Sequence, residues 1–275
     1  MLGKLMKFEY RSSMRFMAVI WAALIASAVM LGIMEIITRY VGASLFGSRI
    51  IGVISAVVAL LYGLCCAALV ASTIIVIVIR FYKGLLGDEG YLMHTLPVTT
   101  RQLITSKGLV AATIVFASIV VGGISVLIII TLTDAQSFGQ FLAACAELPA
   151  AISKNMNLGQ FFLLVIEGIL LSIGLLLTWI YKIYAALSIG QLVDKHRILL
   201  SLGAFIGFDV AFGMITGIIG AIGSYLKLNF NFYLLSNWFV RVQIPVLIFL
   251  VIEVIIILIY HIISELLLSK KLNLQ

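Results

Sequence analysis

The sequence predicts an all-α membrane protein with six transmembrane helices, and three observations predict this class. The 275 residues are 63% hydrophobic and 11% charged, whereas a soluble domain is about half apolar and a quarter charged. The mean hydropathy is +1.24. The apolar residues fall in six long runs, which is typical of helices that cross ~30 Å of hydrocarbon. A soluble enzyme, a disordered regulator and a fibrous protein are excluded, because one soluble core could not cover so much apolar surface.

Each predicted span is long enough to cross the bilayer as a helix, which needs about 20 residues. Transmembrane barrel strands would instead be runs of about ten residues with alternating polarity. We expect a single transmembrane domain over residues 1–275. Its fourth helix is predicted to be ~50 Å long, to project into the cytoplasm and to turn at residues 194–197. The predicted spans cover residues 16–38, 50–79, 109–132, 161–193, 198–226 and 242–267.

Lysine and arginine residues are distributed unevenly between the two sides of these spans. The side that contains both termini holds thirteen of the 18, and the other side holds five. Positive residues favour the cytoplasmic side, so both termini are predicted to be cytoplasmic and residues 133–160 to form an outer loop. This topology accounts for the net charge of +7, and no nucleic-acid partner is expected.

The first 15 residues are predicted to form a basic amphipathic helix that lies on the inner leaflet and connects to the first span. Lys4, Lys7, Arg11 and Arg15 fall within about 80° of one another on a helix. Glu9 interrupts the opposite, apolar face. It either pairs locally and reaches the headgroups, or it contacts a cytoplasmic partner.

The segment 80–108 between the second and third spans is the most polar part of the predicted inner side. Asp88 is a favourable N-cap and Glu89 suits the positive end of a helix, so a short helix is predicted over residues 89–95. Its apolar side chains, which include Tyr91, have no evident cover in their own chain. Such a helix either docks on a partner protein or lies flat on the membrane surface.

A further helix is predicted to begin before the third span and to run on into it. Thr99 is followed three residues later by Gln102. This is the spacing of a capping box, in which the two side chains accept hydrogen bonds from each other's backbone N–H groups. Pro97 ends the preceding short helix, because the residue before a proline is disfavoured in helical geometry.

The segment GDEGYLMHTLPVT at residues 87–99 resembles the first cytoplasmic loop of ABC-2 type permeases of Gram-positive bacteria. The basic N-terminus, the six spans and the turn SIGQLVDKHR at residues 188–197 are similar to that family as well, so the resemblance covers nearly the whole chain. It implies that the loop carries a coupling helix, which binds a separate ATPase. The residues to which it gives this role are Asp88, Glu89, Gly90, Tyr91, Leu92 and His94.

The resemblance also implies an assembly and an activity. Two permease copies would form a homodimer in the bacterial plasma membrane with two ATPase subunits, and would export amphipathic peptides such as phenol-soluble modulins. The chain contains no GxxxxGKS or GxxxxGKT phosphate loop. It is therefore predicted not to be an enzyme and to bind no cofactor, with ATP and Mg²⁺ held by the partner. The alternatives are an exporter of lipids or drugs, a non-transporting assembly or regulatory subunit, and an intramembrane enzyme.

Two further sets of residues inside the spans are candidates for function, whereas no catalytic residue and no metal-ligand cluster is predicted. Carboxyl groups in a span are costly and often functional, so they either line a translocation path or stay protonated between helices. The carboxyl set is Glu167, Asp209 and Glu253. Small residues allow close helix contact, within one subunit or in a homodimer. The glycine set is Gly63, Gly203, Gly207, Gly213 and Gly217.

Overall fold

A computed structural model of the chain describes residues 2–41, 45–86, 98–133, 135–193, 195–225 and 238–270. Over these residues the chain forms seven α-helices and one π-helical turn, without a β-strand. Every α-helix except the fourth is long and apolar enough to cross a membrane, which confirms the predicted helical class and the number of candidate spans. The helices are α1 (Leu2–Val41), α2 (Leu45–Phe81), α3 (Thr100–Thr133), α4 (Ala135–Asn155), α5 (Leu158–Gly190), α6 (Arg197–Tyr225) and α7 (Trp238–Lys270), and the π-helical turn is Tyr82–Leu86.

The prediction of an outer loop at residues 133–160 is wrong, because most of this segment forms the helix α4. This segment is rich in alanine, leucine and glutamine, which are good helix formers, and its polarity concealed that propensity. Pro149 lies inside the helix, where it removes one backbone hydrogen bond. Most of the described side chains of α4 are exposed, and the helix is not among the candidate spans.

Helix α1 runs without interruption from the amphipathic segment into the first span. No glycine or proline lies between Gly3 and Gly32, so nothing in this stretch breaks the helix. Glu9 is only 4% exposed, which leaves it inaccessible to a cytoplasmic partner and favours the local contact among its two predicted roles. The location of this segment on the inner leaflet stays a prediction.

The chain groups into two compact units. One consists of Gly3–Ile77 and Leu109–Leu158, and the other consists of Met1–Leu2, Val78–Gly108 and Gly159–Gln275. The first unit therefore holds α1, α4 and most of α2 and α3, and the second holds α5 to α7 together with the segment between the second and third spans.

The first unit has an apolar core between α1, α2 and α3. Trp21 Nε1 donates a hydrogen bond to Ser118 Oγ at 3.1 Å, and Gly32 lies against Leu132. Because these contacts advance together along both helices, α1 and α3 run in the same direction, as two spans separated by one crossing must. The buried core residues are Met17, Leu24, Leu69, Val76, Val110 and Ile114.

The second unit is built around α5, which contacts both α6 and α7. Helices α5 and α6 form a tight hairpin, since a Cβ on Gly190 would overlap Ser201 Oγ and lie 2.6 Å from the Arg197 carbonyl. His196 has a φ of 66°, the left-handed geometry that ends such a turn. The structure thus confirms the predicted turn before Arg197, with Asp194 outside the described residues.

Candidate functional site

The six predicted coupling residues, Asp88 to His94, lie in residues 87–97, outside the described part of the chain. The structure describes both ends of this segment, and both ends lie in the second unit. The contacts at these ends define a group of residues that we call the loop-base cluster. Its members are Arg80, Phe81, Leu86, Lys107, Gly108, Tyr181, Tyr184 and Gln191.

The N-terminal end of the loop is anchored by an aromatic stack. Phe81, at the last residue of α2, is fully buried and stacks on Tyr184 of α5 with ring centroids 4.1 Å apart. An aromatic pair of this kind contributes about 1 kcal/mol beyond its buried area. The π-helical turn follows directly, and the carbonyl of its last residue, Leu86, accepts a hydrogen bond from Gln191 Nε2 at 3.4 Å.

The C-terminal end of the loop is fixed by the predicted capping box. The Gln102 N–H donates to Thr99 Oγ1 at 3.3 Å, and the Thr99 N–H donates to Gln102 Oε1 at 3.4 Å. The next turn buries Leu103 and Ile104. This confirms that a helix starts after Thr99 and continues into the third span.

A buried lysine joins the two ends of the loop. Lys107 of α3 is 3% exposed, and its Nζ donates a hydrogen bond to the Arg80 carbonyl at 3.2 Å. An ammonium group near the C-terminus of a helix is favourable, because the last carbonyls carry partial negative charge. One residue later, Gly108 lies so close to Tyr181 that a Cβ would be 2.8 Å from the phenol oxygen.

The cluster continues into α7 through Tyr181. This ring lies edge-on to His261, with ring centroids 5.3 Å apart. His261 Nε2 in turn lies 4.0 Å from Glu265 Oε2. Glu265 in turn accepts a hydrogen bond from Arg101 Nε at 3.1 Å. The Arg101 side chain is 67% exposed, so this ion pair orients α3 and α7 without contributing much stability.

Asp209, one of the predicted carboxyls, forms an ion pair with Lys182. Asp209 lies on α6, and its Oδ1 is 2.5 Å from Lys182 Nζ on α5. The Lys182 side chain is 8% exposed, and its ammonium lies 3.9 Å from the Phe205 ring centroid, so an opposite charge and an aromatic ring stabilise it together. The exposed partner is Asp209, whose side chain is 67% exposed.

Lys182 is the functional candidate that the sequence analysis missed. Its charge was attributed to topology, because it lies close to the predicted inner end of the fourth span. A usable signal did exist: Lys182 precedes the α5–α6 turn by roughly as many residues as Asp209 follows it. A helical hairpin places such residues at similar depth.

The other two carboxyls lie between α5 and α7. Glu167 is buried and accepts a hydrogen bond from Gln243 Nε2 at 2.9 Å. Glu253 is 8% exposed, and its Oε2 has no hydrogen-bond partner within the part of the chain that the structure describes. The structure does not join the three predicted carboxyls into one site, since each has a different neighbour.

The five predicted packing glycines share one property. A Cβ on any of them would meet nothing within 4 Å in the described chain. They therefore serve no helix packing within one copy among these residues, and their role in a homodimer stays a prediction. The glycines that do lie in close contacts are Gly32, Gly108, Gly174 and Gly190.

Neither a metal site among the described residues nor a similarity to known proteins assigns a function to the chain. Among the described residues, no group of three or more histidine, cysteine, aspartate or glutamate side chains could hold a metal ion. Comparisons with protein-family models, with curated proteins and with solved structures found no match.

Proposed function

We propose that the chain is the membrane-spanning subunit of an ATP-driven exporter, energised by a separate ATPase that binds residues 88–94. The proposal rests on the resemblance of segment 87–99 to the coupling loop of ABC-2 type permeases. The observation that carries it further is the loop-base cluster. A docking segment can move transmembrane helices only if its ends are firmly attached to them, and both ends of this loop contact α5.

The proposed mechanism uses this attachment. Closure of an ATPase dimer displaces the two coupling helices, and Phe81 and Lys107 are the contacts through which the displacement reaches the helices. Helix α5 receives it through Tyr184, and α7 receives it through the Tyr181–His261 contact. The spans then change their packing and open a path for the substrate. In this proposal both termini are cytoplasmic and the protein lies in the bacterial plasma membrane.

The proposed assembly is a homodimer with two ATPase copies. Open space beside the glycines of α6 supports this arrangement, because helices with small residues can approach closely. The proposed substrate is an amphipathic peptide of the toxin or antimicrobial type. A largely apolar span region suits a peptide that partitions into the membrane, although lipids and drugs are the alternative.

The first test of this function is whether an ATPase is encoded beside the gene for this chain, since its absence would favour the non-transporting alternatives. If it is, the experiment uses that ATPase. The two proteins are co-expressed and purified, and ATP hydrolysis is measured with and without amphipathic peptide. Tyr91→Ala should weaken association by about 2 kcal/mol or more, or ~30-fold, if this tyrosine is a buried anchor. The variant should still insert, because the loop lies outside every span.

Tyr40→Ala is the matched control. Tyr40 on α1 is 84% exposed and lies just beyond the outer end of the first predicted span, on the opposite side of the membrane from the predicted position of residues 88–94. It should bind the ATPase and export as the wild type does. If Tyr91→Ala also binds and exports normally, the loop is a membrane-surface helix. If the purified pair binds but never transports, the non-transporting regulatory subunit becomes the better hypothesis.

A further inference from the structure

Glu253 occupies a position at which a charged carboxylate is poorly tolerated. It lies near the middle of α7 (Trp238–Lys270), so more than ~20 Å of helix separates it from either end. The helix is a candidate span, and the side chain is 92% buried by the rest of the chain, being 8% exposed. Neither bulk water nor lipid headgroups therefore solvate this group.

The contact between α5 and α7 has a regular register that places Glu253 at its centre. Glu167 contacts Gln243, Gly174 contacts Glu253, and Tyr181 contacts His261. Each step advances in the same direction along both helices, so α5 and α7 run parallel. The Glu253 carboxyl is flanked by one contact on each side, each about two to three helical turns away.

Gly174 forms the notch that receives this carboxyl. A Cβ on Gly174 would overlap Glu253 Oε2 and lie 3.0 Å from the Glu253 carboxyl carbon. Any other residue at this position would displace the carboxyl. The contact therefore requires a glycine at position 174 of α5, because the Glu253 side chain of α7 occupies the space that a Cβ would fill.

Among the described residues, no lysine or arginine forms an ion pair with the carboxyl in this notch, and none donates a hydrogen bond to Oε2. The carboxylates of Asp209 and Glu265, by contrast, each face a lysine or arginine. An unpaired carboxylate in an apolar interior is far more costly than the neutral acid. The other titratable groups of these three helices are Glu167, Tyr181, Lys182 and Tyr184 on α5, Arg197, Asp209 and Tyr225 on α6, and Arg241, Tyr260, His261, Glu265 and Lys270 on α7. Lys182 is engaged by Asp209.

We infer that Glu253 is a proton-binding site: its carboxyl is neutral while α5 and α7 are packed at Gly174, and it exchanges its proton only when the two helices separate. The ligand is a proton, and the neutral acid is also a modification site for a hydrophobic carbodiimide. The carboxyl oxygen adds to the central carbon of the reagent, and the carboxyl proton moves to a reagent nitrogen. The acyl group then migrates to nitrogen, so the adduct retains every atom of both reactants. The inference does not depend on export or on an ATPase.

Infrared spectroscopy of the purified full-length protein in lipid nanodiscs tests the protonation state. The spectrum of the wild type minus that of Glu253→Gln, at neutral pH, should contain the carbonyl stretching band of a protonated carboxyl. Glu265→Gln is the matched control and should leave this band in place, because Glu265 is paired with Arg101. The inference is overturned if the wild-type spectrum shows no protonated carboxyl band, or if its band is still present in Glu253→Gln.

Gly174→Ala tests the notch, with Gly168→Ala on the same helix as its control. A Cβ on Gly168 meets nothing within 4 Å, so that variant should keep the band unshifted. Gly174→Ala displaces the carboxyl and should shift or abolish the band. An unchanged band in Gly174→Ala would show that the notch does not hold the acid.

A chemical test on the wild type avoids any risk of misfolding in a variant. Membranes are treated with N,N′-dicyclohexylcarbodiimide, and peptides are examined by mass spectrometry. The adduct should form at Glu253 with the mass of the whole reagent, and it should decrease several-fold as the pH is raised far enough to ionise the acid. Labelling confined to other carboxyls would contradict the inference.

Discussion

Three ionisable side chains inside the long apolar helices are stabilised away from water in three different ways. Lys182 is stabilised by an opposite charge and an aromatic ring, and Glu167 by the amide of Gln243. Glu253 fits against Gly174 without a partner for one of its oxygens. These three arrangements predict different responses to substitution, because removal of the partner leaves a buried cation only at Lys182.

A double-mutant cycle on the Lys182–Asp209 pair should show strong coupling. Asp209→Asn leaves the buried ammonium without its counter-charge. Because Asp209 itself is exposed, we expect a cost of about 1–3 kcal/mol of unfolding free energy, between the values for exposed and buried pairs. Lys182→Met combined with Asp209→Asn should recover most of this loss, because no charge remains to be solvated. Unfolding in detergent micelles measures both values.

The same cycle separates stability from transport at Asp209. If Asp209 lines the translocation path, the double variant should be stable and yet export poorly, with ATP hydrolysis retained. Additive losses of stability would contradict the coupling. Normal export by the double variant would leave the pair with a structural role alone.

At the scale of the element, the beginning of α3 and the end of α2 determine how residues 87–97 attach to the protein. The capping box at Thr99 and Gln102 holds one end, and the π-helical turn holds the other. π-helical turns are uncommon and occur often at functional sites. Lys107 then connects α3 to the Arg80 carbonyl near the end of α2, so the two ends of the loop are in direct contact.

Thr99→Ala should loosen the start of α3 without affecting membrane insertion. Loss of an N-cap side chain costs about 1 kcal/mol, so amide hydrogen exchange in the first turn of α3 should become roughly fivefold faster. Thr99→Ser keeps the hydroxyl and serves as the control. Equal exchange rates in the alanine and serine variants would mean that the cap does not stabilise this helix start.

At the scale of the whole molecule, contact directions within each unit agree with successive crossings of a membrane. Helix α1 runs parallel to α3 in one unit, and α5 runs parallel to α7 in the other. Spans separated by a single crossing must run parallel. The sidedness of the termini, by contrast, rests on the distribution of lysine and arginine.

Labelling of cysteines in intact cells tests this sidedness. Cys145 on α4 is exposed and should react with a membrane-impermeant maleimide from outside. Cys65 and Cys66 are half-buried in α2 and should not react. A cysteine introduced at Met93 in a Cys145→Ser background should also stay unlabelled until the membrane is opened, and labelling of that position in sealed cells would invert the topology.

What the sequence alone determined are the features that depend on short-range physics. The six candidate spans follow from hydropathy, and the capping box follows from hydrogen bonds between residues three apart. The sequence also placed the turn before Arg197. It predicted an outer loop where α4 lies, because this segment connects two predicted spans and contains acidic residues. The coupling role of residues 88–94 stays a prediction.

Only the tertiary structure decided which residues face one another across helices. Lys182 and Asp209 are 27 residues apart and Gly174 and Glu253 are 79 apart, and no local periodicity links either pair. Such pairings depend on helix rotation and register, which are set by the packing of many side chains at once. A carboxyl in an apolar run indicates a group that must be stabilised away from water. The fold alone determines whether a lysine, an amide or a bound proton stabilises it.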